Sequence, residues 1–336
     1  MDLTLISKYR TQLMGFSILI IVFYHFFGIG GYSFIDIAFR KLFSQGYVGV
    51  DFFMFSSGLG LVYSISKTEN LKDYFIKRWV RIFPFFTFIT LIECFVIRGE
   101  SLGLSLLRST TIGYYIGVSY IDWFVPALVG LYIVFPLLYF IVVKPKRYIL
   151  AFLLMMLFVI LSLYASIVEV LDWKHYALLY RIPIFILGTI TASAIKCGYK
   201  PIAVKRVIIF SSIIGIVVAA ISKGMGGKYT LWLFNACFTP LYLFILMKVF
   251  DYISSKRKMK WGGQFGFAFY GMFTLELYRV SSSFERLLED TVTPDYHWIF
   301  VLLYFILSVI LAWICHKVFK FINAFLYKKL KVIFKV

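Results

Sequence analysis

A histidine, three carboxylates and two arginines interrupt stretches of this 336-residue chain that are otherwise apolar: His25, Asp51, Glu93, Glu276, Arg181 and Arg279. Ionisable groups among apolar neighbours are costly to desolvate, so each needs a partner or a task. Imidazole changes charge near neutral pH, and beside a carboxylate it can take a proton from a hydroxyl while the carboxylate orients the ring and stabilises the imidazolium. The six charges nearly cancel, which also fits a plain role, hydrogen bonding across helices to hold a bundle together. For Glu93 alone the two roles weigh equally. For His25 the chemical role weighs more.

A second constellation is KRWVRIFP, which places Arg78 and Arg81 three residues apart and so on one face of a helix. Two forked guanidinia beside Trp79 suit bidentate capture of phosphate against an aromatic wall. The competing explanation is strong, because basic residues collect at the cytoplasmic ends of membrane spans in any case.

The elements that carry these residues follow from composition. Hydrophobic residues make up 61% of the chain and charged residues 15%, against roughly 45–50% and about 25% in soluble domains. A soluble, disordered or disulfide-stapled secreted protein is thereby excluded. The formal charge of +19 sits in short loops between apolar runs and reads as topology, not as a nucleic-acid surface. Cys94, Cys197, Cys237 and Cys315 are too scattered for a disulfide framework or a metal site.

Runs of about 20 apolar residues predict roughly ten transmembrane helices, near 12–29, 47–65, 80–97, 123–143, 149–168, 176–196, 204–222, 229–250, 267–283 and 298–316. The first lacks a small-residue cleavage site and is expected to remain as a span. Residues 99–122 read as an interfacial or re-entrant segment. Most of the 35 Lys and Arg fall on the side that holds both termini, which predicts cytoplasmic termini. The acidic residues Glu285, Glu289, Asp290 and Asp295 crowd the last loop on the opposite side. The fold class expected is all-α and polytopic, a single membrane domain over 1–336 with no appended soluble domain.

Six segments in order resemble the membrane acyltransferase 3 family, acyl-CoA-dependent O-acyltransferases of surface glycans. RTQLMGFSILIIVFYHF is similar to its opening helix, ending in His25. GYVGVDFFMFSSGLGL resembles its second-span signature, with Asp51, Ser57 and Gly58, and KRWVRIFP carries its R-x-x-R. DWFVPALVGLYIVFPLL, with Trp123, RIPIFILG, with Arg181, and TLELY, with Glu276 and Tyr278, follow. The resemblance runs from about residue 8 to about 320. Two departures stand out: Met14 occupies a frequent arginine position, and Ser281, preceded by Arg279, stands where many members have a second histidine.

The resemblance implies transfer of an acyl group, most simply acetyl, from cytoplasmic acyl-CoA to a hydroxyl of a polysaccharide or glycolipid at the outer face of a bacterial cytoplasmic membrane. It implies His25 as general base, oriented by Asp51 or Glu276. Arg78, Arg81 and secondarily Arg10, with Trp79, would hold the CoA phosphates. Arg181, Arg279, Tyr278 and Trp123 would bind substrate or the developing oxyanion. The partners expected are acyl-CoA, the glycan acceptor and membrane lipids, with self-association left open and neither metal nor nucleic acid. The rival reading is a transporter or flippase of a glycan or lipid-linked precursor, but inverted repeats and matching broken helices are not visible. A non-catalytic assembly protein would leave His25 and the paired arginines without a use.

Overall fold

The computed structural model describes residues 4–28, 34–68, 70–118, 123–198, 202–225, 229–255, 274–291 and 297–334; for 202–204, 225, 274–276 and 288–291 it describes the backbone alone. All described secondary structure is helical. The helices are α1 Thr4–Lys8, α2 Arg10–Gly28, α3 Phe34–Phe43, α4 Val48–Ile65, α5 Leu71–Leu91, α6 Leu102–Ser109, α7 Ile112–Tyr115 and α8 Phe124–Leu138. They continue as α9 Tyr148–Val168, α10 Trp173–Leu179, α11 Ile182–Lys196, α12 Ile202–Met225, α13 Thr230–Cys237, α14 Thr239–Ser255, α15 Thr274–Thr291 and α16 His297–Ile333. Asn70 caps α5 by accepting from the Asp73 amide at 2.8 Å, and Asp172 caps α10 through the His175 amide at 2.9 Å.

Among the described residues eight stretches are long and apolar enough to cross a bilayer, and α13 with α14, bent by 50°, makes a ninth when the two are taken as one span. The expected all-α polytopic class is borne out, with eight or nine of the expected ten or so spans counted among the described residues. The ninth expected span, 267–283, lies partly outside the described residues, and its described part belongs to α15, which runs on to Thr291. With Glu276, Arg279, Glu285 and Arg286, α15 is too polar to face lipid, and it packs against α16 and α5. The segment 99–122 yields only the short helices α6 and α7 among its described residues, neither long enough to span.

The chain divides into two compact units, one of Met1–Met14, Val50–Lys67 and Gly130–Ala268, the other of Gly15–Gly49, Thr68–Val129 and Phe269–Val336. In the first, α4 and α11 run parallel. A β-carbon on Gly58 would lie 2.2 Å from the Phe185 carbonyl oxygen, and one on Gly188 would lie 2.1 Å from that of Phe55. Each glycine thus admits the other helix's backbone, as small residues do between membrane helices. At one end Arg181 meets Asp51; at the other Lys196 Nζ donates to Ser66 Oγ at 2.6 Å. Asp51 with Arg181, Gly58 with Gly188 and Ser66 with Lys196 all stand 130 residues apart.

In the second unit the long helix α16 packs on α5 and α15 around Phe85, Ile89, Val280 and Phe319. Tyr327 of α16 donates to Asp73 of α5 at 2.7 Å. Where α2 meets the start of α4, a β-carbon on Gly46 or Gly49 would come within 2.4 Å or 2.6 Å of carbonyl oxygens of α2. A ladder of Phe27, Phe39 and Phe43 joins α2 to α3. Helix α5 contains Pro84 and ends in a π-helical turn, Ile92–Ile97, which carries Glu93.

Candidate active site

His25 lies in the last turn of α2, and its Nδ1 is 2.9 Å from Oε1 of Glu285 on α15, within one unit. An ionised carboxylate can only accept, so the bond is Nδ1–H to Glu285 and the lone pair is left on Nε2. The imidazole side chain is 42% exposed, open enough to be reached, while that of Glu285 is 18% exposed. Tyr278, Ser281, Ser282 and Glu285 line a narrow recess with His25. Their spacing of i, i+3, i+4 and i+7 is one helical face. The hydroxyls of Ser281 and Ser282 both donate to the Tyr278 carbonyl, at 2.9 and 2.8 Å. Ser281 is thus held by its own helix and does not stand in for a second histidine.

Among the described residues the carboxylate bonded to His25 is Glu285, in a stretch expected to be a loop. The signal was present: extending the α15 pattern past Ser283 puts Glu285 two turns after Tyr278. Asp51 is fully buried, and Arg181 Nε donates to its Oδ1 at 2.7 Å. Arg181 also donates from Nη1 to the Ala177 carbonyl at 3.0 Å, and its guanidinium lies 4.3 Å from the centre of the Tyr180 ring. This pair ties the start of α4 to the start of α11. Glu276 lies in the first turn of α15, and its side chain is outside the described residues.

Glu93, re-aimed by the π turn, is buried among cations. Arg279 and Arg98 stand 3.6 and 3.7 Å away, and Arg286 makes the closest contact. Arg279, itself fully buried, donates to Thr90 Oγ1 at 3.1 Å and lies 5.2 Å from the Phe86 ring centre. Neither Arg98 nor Arg286 was singled out from the sequence, because each reads as an ordinary loop cation when the helix ends are misplaced. A second buried pair also went unseen, His297 Nδ1 with Asp36 Oδ1 at 2.7 Å.

Arg78 and Arg81 do share the first half of α5. Arg78 is half-buried, 5.8 Å from the Tyr74 ring centre, and Arg81 is exposed. Trp79 is exposed and stacks on Phe83 at 5.8 Å, so the aromatic neighbour of Arg78 is Tyr74, one turn back, and not Trp79. The reason is angular: adjacent residues on a helix point about 100° apart. Arg10 donates to the Ser56 carbonyl at 3.3 Å and lies against Gly60, where a β-carbon would meet Nη2 at 2.1 Å. Tyr278 packs edge-on against Phe124 at 5.5 Å, and Trp123 meets the same ring at 6.0 Å.

The arrangement can hold an imidazole in one tautomer beside a recess and can present two guanidinia on another helix of the same unit. No group of three or more metal-ligating side chains occurs among the described residues. No curated protein and no solved structure matches the chain. A family model described as an acyltransferase domain matches residues 12–317. Nearly the whole polypeptide is thereby accounted for, including every segment that carries His25, Glu285 and the α5 arginines, and the chain belongs to the membrane acyltransferase 3 family.

Proposed function

We propose that the protein transfers an acyl group, acetyl in the simplest case, from cytoplasmic acyl-CoA to a hydroxyl of a surface polysaccharide or glycolipid. The observation that carries the reading is the His25–Glu285 pair at 2.9 Å, beside a recess in an acyltransferase. Nε2 of His25 takes the proton from the acceptor hydroxyl, and Glu285 stabilises the imidazolium that forms. The alkoxide attacks the thioester carbonyl, the carbon–sulfur bond breaks, and the departing thiolate receives the proton from Nε2. The products are the ester and free CoA. Arg78 and Arg81 hold the donor's phosphates by charge-assisted, forked hydrogen bonds.

The buried cation cluster around Glu93 sets the charge of the interior near the recess helix and keeps Arg279 on α15 in place. Asp51, Glu276, Arg181, Tyr278 and Trp123 act in positioning or in acceptor binding, and Arg10 supports the fold near Gly60 more directly than the donor. In this reading the polypeptide lies in the plasma membrane with both termini cytoplasmic, as the distribution of basic residues supports. The test is mass spectrometry of surface glycans from cells with and without the gene, together with purified protein given labelled acetyl-CoA. A gain of one acetyl per modified sugar supports the reading. Unchanged glycan mass with altered glycan export would replace it with the transporter.

A further inference from the structure

Within the first unit, α9, α11, α12, α13 and α14 surround a groove of about 590 Å³, inside the roughly 300–1,000 Å³ range of small-molecule sites. Met156 and Val159 of α9, Leu187 and Ile190 of α11, and Phe210 and Ile213 of α12 represent its apolar walls. Among the described residues one charged side chain lines it, Arg206, at the limit of the groove toward the start of α12. Lys205 stands next to it. Both are exposed, and neither has an acidic partner among the described residues.

Depth decides what such a groove can take. The apolar part of α12 begins at Lys205, and the groove follows this helix from Arg206 to Ile214. Eight residues at 1.5 Å each give about 12 Å, close to half of a hydrocarbon core about 30 Å thick. The groove is therefore one leaflet deep, with two cations at headgroup depth that have no acidic partner among the described residues. A soluble anion would find no polar wall below the cations. A neutral chain would leave the cations unused.

We propose that the groove binds one acyl chain of an anionic phospholipid, with the lipid phosphate held by Arg206 at the groove's limit and Lys205 adding positive charge at the same depth. This site is independent of the acyl-transfer reading. The experiment is native mass spectrometry of the full-length protein in mild detergent with equal amounts of phosphatidylglycerol and phosphatidylcholine. The wild type retains one phosphatidylglycerol in preference to phosphatidylcholine. The variant Lys205→Ala with Arg206→Ala changes only exposed side chains and should lower that preference by about fivefold for each cation removed, the equivalent of roughly 1 kcal/mol per basic residue near a charged headgroup. Met156→Trp fills the groove from α9 and should reduce bound lipid of both kinds, with size-exclusion profiles confirming an intact fold. Equal binding of the two lipids by the wild type, or an unchanged preference in the double variant, overturns the proposal and leaves only non-selective boundary lipid.

Discussion

At the scale of single residues, the different partners of Glu285 and Asp51, His25 for one and Arg181 for the other, give each carboxylate a different expected phenotype. His25→Ala should still insert and bind acyl-CoA but lose transfer by about 10²-fold or more, the scale on which positioned acid–base groups contribute. Glu285→Gln keeps a hydrogen bond to the ring but not the negative charge, so kcat should fall to a value between those of the wild type and His25→Ala, with donor binding unchanged. Asp51→Ala should act elsewhere. It strands the buried Arg181 guanidinium, and breaking such a pair costs about 3–5 kcal/mol; the first readout is the yield of folded protein in detergent. Arg81→Lys keeps the charge but loses the fork, so the KM for acyl-CoA should rise. His25 was legible in the sequence because a histidine in an apolar run is conspicuous. Glu285 was not, since it is 260 residues away and lies beyond the apolar run that marks the start of its helix. Arg181 was visible as a buried cation, but nothing local could tell that Asp51 would claim it.

At the scale of elements, hydropathy made most of the helices readable, because a span needs a long apolar run and little else. It did not reach the end of α15, which runs on to Thr291 through charged residues that find partners. It also could not show the π turn that aims Glu93, since a one-residue change of helical register leaves no compositional trace. The α4–α11 crossing permits a direct test. Gly188→Ala puts a β-carbon 2.1 Å from the Phe55 carbonyl oxygen, and overpacking of this kind costs about 1–3 kcal/mol, seen as a lower unfolding midpoint in detergent. The cap of α10 adds a pH-dependent case. Burial pushes the Asp172 carboxyl up, but hydrogen bonds from the His175 amide and ring more than offset it and hold the group below its usual range. A depressed carboxylate stabilises fully above its unfolded value, about 3.9, and that stabilisation is lost as pH falls through the lower folded value. Asp172→Ala should therefore lower stability by about 1 kcal/mol at neutral pH, and the gap to the wild type should close below about pH 3.9.

At the scale of the whole molecule, the distribution of basic residues predicts which loops face the cytoplasm. Cysteines placed at Lys72 and Lys146 should resist an impermeant thiol reagent added to intact cells, whereas one at Lys174 should react; labelling of the first two would reverse the topology. The constant separation of 130 residues between α4 and α11 reaches further, into how this sequence can change over time. One residue deleted between Gly58 and Ser66 turns everything beyond it by about 100° and draws it back about 1.5 Å, so Ser66 no longer meets Lys196. A matching deletion between Gly188 and Lys196 shifts the other helix by the same amount and brings the two ends together again. Substitutions along this pair are thus judged one at a time, but insertions and deletions are judged in couples, and a lineage can shorten both helices only by way of a partner change far along the gene.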